Sequence, residues 1–248
     1  MGSPMPQIVV PEFSGVHNRD LRAAVKRLDS AQSYKDLSTI IICPTRGQIP
    51  AKIVQSWMGM MRPMNQKCIG PLFAIGMEVG DAYNHLIEMI ISNPDLSKWK
   101  YILSIEEDNA PPPDGLLKLY ESIEGKVNGI KYDVVGGLYW TKGEGGQPMI
   151  YGNPKVMPKN FIPQMPIIDS VQEANGLGMG FNLYRIDMFK KVPKPWFKTL
   201  QEHSPQTGSR AYTQDLYFYE RAAGLGFKFA CDNRVKVGHY DYVTDMMW

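Results

Sequence analysis

The chain has 248 residues, with 27 Lys and Arg against 25 Asp and Glu, a formal charge of +2 at pH 7 and a hydrophobic fraction of 44%. That length suits one large domain or two small ones and can bury a substantial core, while the near-balance of charge neither demands nor excludes a nucleic-acid partner. No apolar run approaches the roughly 20 residues that span a bilayer, and Met1-Gly2-Ser3-Pro4-Met5-Pro6 lacks the basic and apolar regions of a signal peptide. Cys43, Cys68 and Cys231 are odd in number and widely spaced. They fit neither a disulfide framework nor a zinc site and point to a reducing compartment, so a cytoplasmic location is expected.

In chain order, the first predicted element is an amphipathic lead helix over 18–30, with Leu21, Ala24, Val25 and Leu28 on one face. It belongs to a lead segment, 1–37. Thr39-Ile40-Ile41-Ile42-Cys43 reads as a buried strand ended by Pro44. Ala51 to Met61 reads as a helix with Pro50 near its first turn, 67–75 as a second strand, and Glu78 to Ile91 as a helix stopped by Asn93-Pro94. Tyr101-Ile102-Leu103-Ser104-Ile105 is a strand buried on both faces, and it ends in Glu106-Glu107-Asp108. A helix over 114–124 and a strand from Tyr132 to Tyr139 follow. This alternation predicts a three-layer α/β/α architecture with a mostly parallel central sheet.

The second half differs in texture. Gly143-Glu144-Gly145-Gly146 is a turn or flexible loop. Residues 153–170 carry four prolines and are expected to wind over the surface. Gly176 to Tyr184 is a glycine-rich strand candidate, and 198–211 reads as a mobile loop. A helix from Gln214 to Ala223 and short strands at 227–231 and 235–238 precede His239. No linker separates these parts. A single domain over 38–248 is expected, with a nucleotide half at 38–140 and an acceptor half at 141–248.

The acidic strand end carries the strongest chemical signal. Three adjacent carboxylates repel one another unless a cation or solvent relieves them, and open α/β sheets place ligands at the carboxyl ends of their strands. A divalent metal carrying phosphates is the economical explanation. Glu106 and Asp108, two apart, can face one side of an extended segment; the alternative is a solvated acidic loop. His239 follows the short strand Val235-Lys236-Val237-Gly238 and could ligate the same metal, or be an ordinary surface histidine. Thr213-Gln214-Asp215 opens a helix: Asp215 is either a helix-start acid or a general base, with the loop before it as a lid. Pro44-Thr45-Arg46-Gly47 offers N–H groups, a hydroxyl and a guanidinium to a nucleotide, or is a plain turn. Gly176-Leu177-Gly178-Met179-Gly180 clears one strand face for a ligand or another backbone. Lys190, Lys191, Lys194 and Lys198 beside Trp196 and Phe197 suit either nucleic acid or a solvated face with a packing anchor.

Together these pieces resemble the GT-A fold of nucleotide-sugar-dependent glycosyltransferases, close to the family 2-like group seen in bacteria and phages. The resemblance covers roughly Ile40 to Tyr240. It rests on Ile42-Cys43-Pro44-Thr45-Arg46-Gly47, Tyr83-Asn84, Ile105-Glu106-Glu107-Asp108-Asn109, Gly176-Leu177-Gly178-Met179-Gly180-Phe181, Gln214-Asp215 and Gly238-His239. It implies Asp108 and His239 as ligands of Mn²⁺ or Mg²⁺, and Thr45, Arg46, Glu106, Glu107, Gly178 and Gly180 as contacts of a nucleoside diphosphate sugar such as a UDP-sugar. It implies Asp215 as the base if the reaction inverts. The family's acidic motif usually begins with Asp where this chain has Glu106, and its usual acidic pair at the helix start is here Gln214-Asp215. The acceptor hydroxyl is open, a modified DNA base included. The rival readings are a nucleotidyltransferase of similar fold and a non-catalytic sugar- or nucleic-acid-binding module.

Overall fold

A computed structural model describes residues 36–64, 66–204 and 208–248; the lead helix expected at 18–30 lies outside the described residues. The parallel strands of the main sheet are β1 (Thr39–Thr45), β2 (Cys68–Ile75), β3 (Tyr101–Ile105), β5 (Val134–Leu138) and β12 (Phe229–Lys236), and the antiparallel ones are β7 (Val171–Ala174) and β9 (Phe181–Arg185). Their order across the sheet is β2-β1-β3-β9-β5-β12-β7. The expected mostly parallel α/β sheet is therefore present.

Side chains alternate across these strands and build two cores. Ile40, Ile42, Ile102, Val134 and Tyr184 pack on one face with helices α2 (Val79–Ser92), α4 (Ile186–Phe189) and α5 (Gln214–Gly224). Ile41, Cys43, Tyr101, Leu103, Ile105, Val135 and Leu183 pack on the other with α3 (Gly115–Ile123) and Trp57 of α1 (Ala51–Gly59). Strands that bury both faces must be continuously apolar, which is why Ile40–Cys43 and Tyr101–Leu103 read as runs. Each fully buried side chain of this size contributes about 1.5–3 kcal/mol.

Local chemistry sets the helix limits. Glu78 caps α2 by accepting from the Asp81 N–H at 3.0 Å, and Asn93 closes it just before Pro94. At the start of α3, Asp114 and Lys118 form a buried ion pair at 2.9 Å, directly after three prolines that cannot continue a strand. A small three-stranded sheet, β14 (Met246–Met247), β13 (Gly238–Asp241) and β4 (Asn109–Ala110), joins the end of the chain to the end of β3.

Three local expectations change. The region around 198–211, read as a mobile loop, forms an antiparallel hairpin of β10 (Leu200–Ser204) and β11 (Gly208–Tyr212). The glycine-rich strand splits into β8 (Gly176–Leu177), which pairs with β6 (Ile150–Tyr151), and β9 in the main sheet. Between them Gly178 N–H bonds the Met149 carbonyl and Gly180 N–H bonds the Tyr139 hydroxyl, so the chain crosses from one sheet to the other. The two strands expected at 227–231 and 235–238 are the single strand β12, whose pairing with β5 shifts between Asp232 and Lys236. There the Asp232 carboxylate accepts from Ser122, from the Arg234 N–H and from its guanidinium.

The lysine-rich stretch settles as a packing anchor. Trp196 and Phe197 are 2% and 1% exposed, and the Trp196 indole N–H is shared by the carbonyls of Phe189 and Val192, both at 3.0 Å. Neither ring can stack on a base. Replacing Trp196 with Ala should cost about 3–5 kcal/mol of stability by the usual price of a large buried aromatic, read from the urea midpoint. A shift under about 1 kcal/mol would contradict the packing assigned here.

Candidate active site

The end of β3 separates its three acids by giving each a different partner. A turn closes on the Asn109 N–H to the Glu106 carbonyl at 3.0 Å, and the Glu106 N–H bonds the Gly180 carbonyl. Glu106 accepts from the buried Tyr83 hydroxyl at 3.1 Å. Glu107 turns to the end of β1, where it accepts from the Thr45 hydroxyl at 2.6 Å, the Arg46 N–H at 2.8 Å and the Arg46 guanidinium. Asp108 faces Lys142, whose ammonium lies 2.6 Å from Oδ2, and His239.

His239 arrives through backbone pairing. In the small sheet, His239 is opposite Asn109 and Gly238 opposite Ala110. The Tyr240 N–H donates to the Asp108 carbonyl at 2.8 Å, and His239 exchanges two backbone hydrogen bonds with Trp248. The His239 ring Nδ1 sits 2.7 Å from the Trp140 carbonyl, which can only accept, so Nδ1 carries the proton. Nε2 then points at Asp108 Oδ2, 3.6 Å away, and the edge of Tyr139 packs against the ring with centroids 5.4 Å apart. Nε2 and the Asp108 carboxylate thus face each other across a gap that a shared cation could occupy.

These residues suit a divalent ion of the Mn²⁺ type in donor chemistry: one carboxylate, one oriented imidazole, and the Lys142 ammonium already standing as a positive charge on the same oxygen. Among the described residues there is no group of three or more His, Cys, Asp and Glu side chains that could hold a metal ion. Asp108 and His239 alone would hold it, with the remaining positions left to ligand oxygens and water.

Beside the pair opens a cleft of about 630 Å³ lined by Arg46, Gly47, Pro50, Glu107, Asp108 and Tyr242. The Arg46 guanidinium lies 4.9 Å from the Tyr242 ring centroid and donates to its hydroxyl at 2.8 Å. Of the residues expected to meet a nucleotide, Arg46 and Glu107 line this cleft. Thr45 is buried beneath them and spends its hydroxyl on Glu107. Gly178 and Gly180 are also buried. A Cβ at Gly178 would meet the Tyr139 hydroxyl at 2.2 Å and one at Gly180 the Asn109 amide at 2.5 Å, so the room these glycines leave is filled by protein side chains. Asp215 is 6% exposed and accepts from the Leu216 N–H at 2.8 Å at the start of α5. Its charge reaches Glu106.

Lys142, Tyr139, Trp140 and Tyr242 are the site residues that sequence reasoning missed. Lys142 was legible only as a cation beside a glycine-rich turn, and Tyr242 only as an aromatic near the end of the chain. Asn109 is also unexpected: it is completely buried and neither its amide oxygen nor its amide nitrogen has a hydrogen-bond partner, a costly condition for a polar group.

Electrostatics divide the acids. Burial works to raise Asp108, but hydrogen bonds and charge from His239 and Lys142 outweigh it and hold the carboxyl below its usual range. Burial likewise opposes, and Thr45 and Arg46 overcome, in Glu107, which is also held low. Burial pushes Asp215 up, against the hydrogen bond from Thr213. Glu106 is pushed up to about 7, first by burial and then by the charge of Asp108. A carboxyl raised in the folded state favours folding at low pH. Its contribution is fully present below its ordinary value of 4.5 and is lost as pH rises through about 7. Metal-free wild type should therefore lose on the order of 1–2 kcal/mol relative to Glu106→Gln between about pH 5 and about pH 8. Urea unfolding of both proteins at the two pH values reads this; parallel losses would refute it.

No protein-family model and no curated protein matches this chain. Among solved structures it is similar to the protein A197 from STIV, with 16% identity over 83% of this chain and 86% of that one and a TM-score of 0.56. It is also similar to GalNAc-T7, a glycosyltransferase solved with UDP, GalNAc and Mn²⁺, with 9% identity over 94% of this chain and a TM-score of 0.53. The chain spans 53% of that second protein, about half its length. At these identities the likeness is one of fold: the seven-stranded, mostly parallel sheet is a GT-A-like, Rossmann-type sheet.

Proposed function

We propose that this protein is a metal-dependent glycosyltransferase that moves a hexosyl or pentosyl group from a nucleoside diphosphate sugar, a UDP-sugar in the first instance, to an acceptor hydroxyl. The observation that carries the proposal is the opposition of Asp108 and the oriented His239 imidazole across 3.6 Å, beside the cleft that Asp108 and Glu107 line. The GT-A-like fold and the UDP and Mn²⁺ of GalNAc-T7 support it.

Asp108 and His239 would hold Mn²⁺ or Mg²⁺, which when bound supplies Lewis-acid charge to a departing diphosphate. Arg46, steadied by Glu107 and Tyr242, presents a guanidinium to the nucleotide portion. Glu106, with its raised pKa and single Tyr83 donor, keeps an oxygen for a sugar or ribose hydroxyl. Asp215, whose pKa burial raises, is the residue assigned as general base for the acceptor hydroxyl if the reaction inverts.

The test is release of UDP from UDP-sugars, with and without Mn²⁺. Asp108→Ala should abolish the metal-dependent part, because the ion is the largest electrostatic contribution to the leaving group. Asp215→Asn should lower kcat by about 10²–10⁴ while UDP binding persists. Retention of most Mn²⁺-dependent turnover by Asp108→Ala would remove the assigned ligand. Binding of a UDP-sugar with no turnover under any metal would leave a binding module instead.

A further inference from the structure

The Lys142 ammonium rests on the atom a metal would need. Nζ is 2.6 Å from Asp108 Oδ2, and that same oxygen lies 3.6 Å from His239 Nε2. The loop that carries Lys142 also carries Trp140, whose carbonyl orients the His239 ring. Directly after Lys142 come Gly143 and Gly145, at φ +94° and +75°, each with open space where a side chain would be. On its other side the ammonium is 6.0 Å from the Tyr242 ring centroid, and Arg46 lies 4.9 Å from the same ring. Tyr242 and Asp108 both line the cleft, so the ammonium that touches one and approaches the other lies beside the space for a ligand.

We propose that Lys142 is a positioning residue with two alternative partners: it serves as counter-ion to Asp108 until a divalent cation arrives, then swings to the diphosphate of the bound nucleotide. This rests on the reading of Asp108 and His239 as metal ligands. An ammonium and a divalent ion on one carboxylate oxygen compete, because like charges at that separation repel in a partly buried site. Asp108 without a cation would be a poorly compensated, largely buried charge. Lys142 therefore keeps the carboxylate ionised and aimed beforehand, at the cost of competing with the ion. Its long flexible stem and the two unhindered glycines beyond it allow the ammonium to move. Once displaced, it meets the most concentrated negative charge the cleft would hold, a diphosphate beside Tyr242 and Arg46.

The inference has a two-signed signature. Lys142→Met should bind Mn²⁺ alone about tenfold more tightly than wild type, since the internal competitor is gone. With Mn²⁺ saturating, it should bind UDP about tenfold more weakly, since the second partner is lost. Lys142→Arg should lie near wild type in both measurements. Free Mn²⁺ can be followed by electron paramagnetic resonance and UDP by calorimetry, with circular dichroism of the metal-free proteins as the folding control. If Lys142→Met does not fold, Lys142→Gln carries the same expectation. Equal or weaker Mn²⁺ affinity in the variant would overturn the role of Lys142 and leave the metal reading standing. Tighter Mn²⁺ with unchanged UDP affinity would overturn the movement to the diphosphate. Failure of wild type and variant alike to bind Mn²⁺, with or without UDP, would overturn the metal reading and this inference with it.

Discussion

The pairing of Asn109-Ala110 with Gly238-His239 is the constraint on which the site depends. It is a short ladder, and it joins two segments about 130 residues apart in sequence by backbone hydrogen bonds alone. With the Tyr240 N–H on the Asp108 carbonyl, it makes the position of the imidazole relative to the carboxylate a matter of register rather than of side-chain choice. The Trp140 carbonyl and the edge of Tyr139 then remove the remaining freedom of the ring. The result is a carboxylate and an imidazole held facing each other from the main chain outward, as a pre-organised site requires.

A cluster of acids on one turn would ordinarily be self-defeating. Here it is relieved by dispersal. Glu107 is neutralised by Arg46, Asp108 by Lys142 and His239, and Glu106, left with one phenol, answers by holding its proton more tightly. The three therefore occupy three electrostatic states at neutral pH while lying on consecutive residues. One is structural glue for the β1 loop, one is a cation site and one remains adjustable.

Much of the scaffold could be read from the order of residues. Apolar runs bounded by Pro44 and by Glu106 mark strands covered on both sides, and helical spacing through Ala82, Leu86 and Ile90 marks the helix between them. The acidic strand end and His239 stood out because charge placed after a buried strand needs an explanation. The remainder was not legible for physical reasons. Lys142 reaches Asp108 across a loop with no periodic pattern. Thr45 and Glu107, read as ligand contacts, satisfy each other, and nothing in the chemistry of a hydroxyl or a carboxylate says which partner it will take. Gly178 and Gly180 announced close approach correctly in kind, but whether a ligand or Tyr139 and Asn109 approaches is decided by tertiary packing. The hairpin at Leu200 to Tyr212 was hidden by polar strands with no apolar alternation.

The strict alternation of Ile102 and Leu103 between the two cores carries a consequence for how this protein can vary. Adding or deleting one residue within Tyr101–Ile105 would exchange the two layers and rotate the acidic turn away from the C-terminal strands together. Length changes should therefore be far better tolerated within 153–170, outside the named strands, than between Tyr101 and Ala110.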